Sequence, residues 1–221
     1  DVIGGKIVRV GAMAKGRGMI HPNMATLLCF VTTDAAVSPE MLDKALHAAV
    51  ADTLNMVSID GDTSTNDMLT VMASGLSGMK EIDGEGEDYE KFIALLTAVL
   101  TDVSRAIAKD GEGATRLLEC KVTGAPDVAT AKKIAKSVVC SSLLKAAISA
   151  ADANWGRVLC AIGYTDAQFD IDKIDVDLSS EEGSIAVCRN GSGVEFDEDE
   201  AKKILTPDEV TVNVNCNIGS A

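Results

Sequence analysis

Residues 88 to 109 narrow the choice of fold more than any other stretch. Phe92, Leu95, Leu96, Val99, Leu100, Val103 and Ile107 recur there at three- and four-residue intervals. Such a helix is apolar along one face and needs a partner layer. A second stripe, Leu42, Ala45, Leu46, Ala49, Val50 and Leu54, follows Ser38-Pro39-Glu40. Ser supplies an N-cap, Pro suits the first helical position, and the acid faces the positive end of the helix. His47 falls off this stripe and is expected to be a solvated helix residue, not a ligand.

Short apolar runs supply what those helices pack on. Residues 6–14 ("KIVRVGAMA"), 26–33 ("TLLCFVTT"), 68–75 ("MLTVMASG") and 117–125 ("LLECKVTGA") read as strands. One long helix is predicted over about 127–150, and a short one over "NWGRVLCAIGY". From about 170 the texture changes to short segments, "IDVDL", "SIAVCRN" and "VEF". A charged helix, "DEDEAKKIL", and a strand, "EVTVNVNCNIG", close the chain. The pattern predicts an α/β (α+β) protein with mixed sheets and packed helices, and a boundary at 168/169. Hydrophobic residues make up 47% of the chain but aromatics only 3%, so the core must be aliphatic.

The net charge of −14 lacks the basic surplus and interleaved aromatics of a nucleic-acid binder. No apolar run reaches the length of a membrane span. Cysteines at 29, 120, 140, 160, 188 and 216 form no Cys-x-x-Cys, and most lie in apolar runs, so buried free thiols are expected. Neither His21 nor His47 pairs with a cysteine at zinc spacing. "GAMAKGRG" puts Lys15 before the second glycine and Arg17 after it, which fails the P-loop pattern. Asp60 and Asp62 open like a calcium loop, but Thr65 and Val71 stand where Gly and Glu are required.

Thr26 in "HPNMAT" is the candidate for chemistry. His21-Pro22-Asn23 is turn-prone, and Ala25 is small enough to let a hydroxyl reach its carbonyl. An N-to-O acyl shift and hydrolysis would free the Thr26 amine. With a pKa of roughly 8, that amine can act as base for the hydroxyl, so one cut makes nucleophile and base together. The residues alone favour the plainer reading, in which Thr26 opens an ordinary strand. "DGDTSTND" reads as a polar loop of side-chain to backbone bonds, with Asp60 or Asn66 able to orient an amine or water. In "DANWGR", Asp152 is expected to cap a helix and Trp155 to pack on it.

"MIHPNMAT", "TTDA", "DGDTSTND", "ASGLSG", "DGEGAT" and "ANWGR", in that order, resemble the ornithine acetyltransferase family almost from end to end. The resemblance implies a self-cleaving, N-terminal-nucleophile fold similar to aminopeptidases of that type. It implies cleavage between Ala25 and Thr26, so that 1–25 ends an alpha chain and 26–168 and 169–221 belong to a beta chain. Thr26 would take acetyl from N-acetylornithine and pass it to glutamate, in a glutamate N-acetyltransferase of arginine biosynthesis. Many members also accept acetyl-CoA; no resident cofactor or metal is implied. Lys15 of "KGRGMI" and Glu112 of "DGEGAT" would contact substrate, a cation for a carboxylate and an anion for an ammonium. Arg17 stands where members often have Ser.

The family's oxyanion-hole Thr-Gly pair and its C-terminal Asn and Thr have no counterpart here. The chain is therefore expected to be a fragment, inactive without its complementary N-terminal chain. The resemblance further implies a heterotetramer of two alpha and two beta chains, cytoplasmic in a bacterium and organellar in a eukaryote. Two rivals stand beside it: a self-cleaving amidohydrolase or aminopeptidase, and a non-catalytic structural paralogue.

Overall fold

The computed structural model describes residues 1–21 and 27–221. The chain forms two compact units, Asp1–Glu112 and Gly113–Ala221. This division lies inside the segment expected as 26–168.

In the first unit, strands β1 (Val2–Ile3) and β2 (Lys6–Ile7) form a hairpin. Gly4 and Gly5 turn it with φ of 57° and 70°, which residues with a Cβ resist. The strand expected over 6–14 is broken here. Val8 is buried, and the Arg9 N–H donates to Asp34 Oδ1 at 2.8 Å instead of to a neighbouring strand. The chain resumes as β3 (Val10–Lys15). Strand β4 (Leu28–Thr33) lies at the centre of a sheet, antiparallel to β3 and parallel to β5 (Met68–Ala73).

One side of β4, formed by Cys29, Val31 and Thr33, is buried in the core built with helices α1 (Pro39–Asp52) and α2 (Glu87–Lys109). Ser38 caps α1 as expected, its Oγ accepting from Met41 N at 3.3 Å. Ala45, Ala49 and Val50 are buried on α1, and Phe92, Leu96 and Leu100 on α2. His47 is exposed, as predicted. The buried Thr33 hydroxyl is satisfied twice, donating to Arg9 O and accepting from Ala35 N. The opposite side of the same sheet exposes Met13, Leu28, Phe30, Met68 and Met72.

The second unit is built on a five-stranded sheet in the order β6 (Leu117–Thr123), β10 (Glu209–Asn215), β7 (Asp175–Ser180), β8 (Gly183–Arg189), β9 (Ser192–Gly193). Only β6 and β10 pair in parallel. The segment 169–221 thus completes a sheet whose edge strand is 117–123. The helix expected over 127–150 is two helices, α3 (Val128–Cys140) and α4 (Ser142–Ser149). Ser141 between them takes an extended backbone, and its Oγ accepts from Leu144 N at 3.2 Å. A side-chain acceptor at that point competes with helix continuation. Helix α5 (Trp155–Gly163) is capped by Asn154, not Asp152. Asp152 orients that cap, accepting from Asn154 Nδ2 at 3.1 Å. Trp155 packs on the core, and a Cβ at Gly193 would come within 2.4 Å of its indole. "VEF" is not a strand; the pairing uses Ser192 and Gly193 instead. Helix α6 (Glu198–Ile204) is capped by Asp197.

All six cysteines are free. Cys29, Cys188 and Cys216 are buried, and burial pushes the Cys29 thiol up to about 11, so it is inert at neutral pH. Cys160 departs from the expectation of burial and is exposed, its thiol 3.2 Å from Tyr164 Oη.

Candidate active site

Sheet register collects the predicted residues of the first unit at one end. Lys15 closes β3 opposite Leu28, which opens β4, and Leu28 stands opposite Met68, which opens β5. The loops that run into this row are therefore neighbours. Ala25 and Thr26 lie outside the described residues.

The loop "DGDTSTND" fastens both flanks of that segment. Asp60 Oδ2 accepts from Met19 N at 2.6 Å, and Oδ1 accepts from Ile20 N at 3.1 Å and Asp62 N at 3.0 Å. Thr63 Oγ1 donates to His21 O at 3.2 Å, and Ile59 N donates to Ile20 O at 2.7 Å. His21 Nδ1 lies 3.0 Å from Ser58 Oγ. At the far end of the loop, Asp67 Oδ1 accepts from Leu27 N at 2.6 Å. The chain thus enters 22–26 from a fixed His21 and leaves it at a fixed Leu27. Side-chain to backbone bonds were expected in this loop, but the decisive ones cross to another segment. Both Asp60 oxygens are engaged in this way. Asn66 stays local, its Oδ1 accepting from Thr65 Oγ1.

Glu112 arrives from the other direction. Helix α2 ends before Asp110 and Gly111, and Gly111 is buried where a Cβ would meet Ile59 at 3.0 Å. Glu112 N then donates to Arg17 O at 2.8 Å, and Arg17 Nε donates to Asp110 O at 3.3 Å. Arg17 thus ties the lysine-bearing loop to the end of α2. A Cβ at Gly18 would sit 2.9 Å from Glu112 Oε2 and 3.8 Å from Asp60 Oδ2. Glycine at 18 lets the loop pass against both carboxylates. Lys15 is exposed, and with Arg17 it lines an open groove of about 460 Å³ between β3 and Val103, Ala106 and Ile107 of α2. A second groove, of about 550 Å³, opens at the opposite end of the sheet beside Arg9 and Asp34. The Arg9 N–H and guanidinium hold the Asp34 carboxyl below its ordinary range, and among the described residues no predicted site residue lines that groove.

Asp67 is the residue that sequence reasoning missed. Its Oδ2 is buried and has no hydrogen-bond partner among the described residues. Burial pushes its carboxyl up, against the opposing pull of the Leu27 N–H. The one signal available was its place as the last acid of "DGDTSTND", just before a strand. Among the described residues no group of three or more His, Cys, Asp or Glu could hold a metal ion. No described helix is long and apolar enough to cross a membrane.

Comparison with known proteins identifies the family. The ArgJ family model matches residues 1–221. The arginine biosynthesis bifunctional protein ArgJ 1 of Clostridium acetobutylicum is 50% identical over 214 residues, covering 97% of this chain and 52% of the relative. The ArgJ protein of Thermotoga neapolitana is 48% identical over 217 residues, 98% of this chain and 55% of the relative. The chain therefore spans about half the length of the curated relatives it matches. The crystal structure of the arginine biosynthesis bifunctional protein argJ from Bacillus halodurans superposes with a TM-score of 0.81 at 42% identity, covering 87% of this chain and 89% of that one. Identity at this level, over nearly the whole chain and with a shared mixed α/β fold, leads to one conclusion: the chain belongs to the ArgJ family.

Proposed function

We propose that this chain is part of a glutamate N-acetyltransferase that moves acetyl from N-acetylornithine to glutamate through an acetyl ester on Thr26. The observation that carries the reading is the loop 60–67, which grips both flanks of the Ala25–Thr26 bond while Lys15 and Glu112 belong to the same end of the fold. The anchoring of Met19, Ile20, His21 and Leu27 supports this reading, because positioning accounts for a large share of the rate gain in intramolecular attack. After the cut, the Thr26 amine serves as base for each acyl transfer. Lys15 binds the substrate carboxylate and Glu112 its ammonium, with acetyl-CoA as a second acetyl donor. The relatives' printed names, arginine biosynthesis bifunctional proteins, support the same reading.

The proposed partner is the complementary N-terminal chain. The solved Bacillus halodurans chain is matched over 89% of its length, the curated relatives over only about half. One product of a cut precursor would have that shorter length. The exposed apolar side of β3, β4 and β5, with Met13, Phe30, Met68 and Met72, supplies a surface for the missing half. A complex of two alpha and two beta chains follows the family pattern, and a bacterial cytoplasm is its proposed location.

Intact-mass measurement of the full-length protein tests the cut. Two fragments meeting at Ala25–Thr26 are expected, and one uncut chain from Thr26→Ala. Incubation with N-acetylornithine should add one acetyl mass to the Thr26 fragment, which glutamate then removes. Loss of that acetyl to water at the same rate without glutamate would favour the amidohydrolase instead.

A further inference from the structure

Transfer of acetyl from N-acetylornithine to glutamate poses a problem of charge. Lys15 and Glu112 match one carboxylate and one ammonium. N-acetylornithine carries those two groups and no other charge. Glutamate brings a second carboxylate, at the end of its side chain, and neither Lys15 nor Glu112 is left to meet it. A site that prefers glutamate to a neutral amino acid needs another cation.

The described residues supply one beside Lys15. Lys15 and Arg17 line the same open groove of about 460 Å³, along β3 and against Val103 and Ile107 of α2. Among the described residues neither of them enters an ion pair, although the chain carries a net charge of −14. Arg17 Nε donates to Asp110 O at 3.3 Å. That bond steadies the guanidinium through one nitrogen and leaves the two terminal nitrogens for another acceptor. Asp110 lines the groove as well, but it engages Arg17 through its backbone carbonyl and not its carboxylate. Glu112 N donates to Arg17 O at 2.8 Å, so these two residues are joined through the backbone. Their opposite charges are nevertheless not paired with each other. Glu112 Oε2 lies instead against Gly18, where a Cβ would come within 2.9 Å. Both charges therefore stay open to a ligand. A guanidinium presents parallel N–H groups that fit the two oxygens of a carboxylate, and the apolar wall of Val103 and Ile107 suits the methylenes between two such groups.

We propose that Arg17 determines specificity for the acceptor, its guanidinium binding the side-chain carboxylate of glutamate while Lys15 holds the α-carboxylate. The groove is then a site for a dicarboxylate, a role that rests on the proposed acetyl transfer. Arg17 acts by binding alone, and no bond to it forms or breaks.

The test compares full-length wild type with Arg17→Gln and Arg17→Lys in steady-state acetyl transfer from N-acetylornithine to glutamate or to glutamine. Glutamine has nearly the shape of glutamate without the second charge. Wild type is expected to prefer glutamate in kcat/KM, and Arg17→Gln to lose about 10- to 100-fold of that preference through a raised KM for glutamate. KM for N-acetylornithine should not rise, because the donor has no second carboxylate. Arg17→Lys keeps the charge but not the planar fork and should recover part of the preference. If Arg17 only holds the end of α2, its loss would raise KM for donor and acceptor together and leave the glutamate-to-glutamine ratio at the wild-type value. That result would overturn the proposal. Wild type that moves no acetyl to glutamate would remove both this role and the functional reading. A transferring wild type beside an Arg17→Gln variant of unchanged preference would remove this role alone.

Discussion

Lys15 and Glu112 are 97 positions apart in sequence, and the fold brings both to the flanks of the segment before Leu27. A charge-assisted hydrogen bond contributes roughly 1.5–3 kcal/mol. Lys15→Ala in the full-length enzyme should therefore raise KM for glutamate about 10- to 100-fold, read from steady-state kinetics. Gly18→Ala tests the same site from the backbone side. Its Cβ would crowd the Glu112 carboxylate, a flexible side-chain end that can swing away at little cost in stability. A similar rise in KM with a nearly unchanged Tm is expected; an unchanged KM would place Glu112 outside the substrate site. Asp67 has a stability signature too. Its carboxyl is pushed up on folding, so the folded state binds more protons and stability falls as pH rises from the ordinary carboxylate range to the raised pKa. Asp67→Asn removes that penalty, and the difference between variant and Thr26→Ala should shrink at low pH in pH-dependent melts.

Helix boundaries show which local signals hold and which give way. Ser38-Pro39 opened α1 where the sequence placed it, because the cap and the fixed φ of proline act within one turn. Ser141 was hidden inside an Ala-rich apolar stretch, and periodicity carried the expected helix straight through it. Its hydroxyl instead starts α4. Ser141→Ala should destabilise the protein by about 1 kcal/mol in urea unfolding, the ordinary loss of an N-cap. Ser141→Asp, which keeps an acceptor, should recover most of it. The break in the first expected strand has a similar origin: Asp34, 25 positions away, captures the Arg9 N–H.

At the scale of the whole molecule, the bare side of the β3–β4–β5 sheet is the face proposed to receive the complementary N-terminal chain. Met72→Asp in the full-length protein should weaken association of the two cleaved chains, seen as separate species in size-exclusion chromatography with mass detection. Leu76→Asp, in an exposed turn beyond β5, should leave the complex intact. Equal behaviour of the two variants would mean that this face is not the seam. By itself, the sequence determined the fold class, the two long amphipathic helices, the Ala25–Thr26 candidate bond and the pairing of Lys15 with Glu112 through resemblance. Those features are written in local periodicity and in short contiguous motifs. It did not show that Asp60 and Thr63 hold one flank of that segment and Asp67 the other, nor that Asp67 keeps a buried oxygen without a partner among the described residues. Hydrogen bonds that span some 40 residues of chain depend on which strands become neighbours and in what register. Only the tertiary structure, by aligning Lys15, Leu28 and Met68 in one row, decided that.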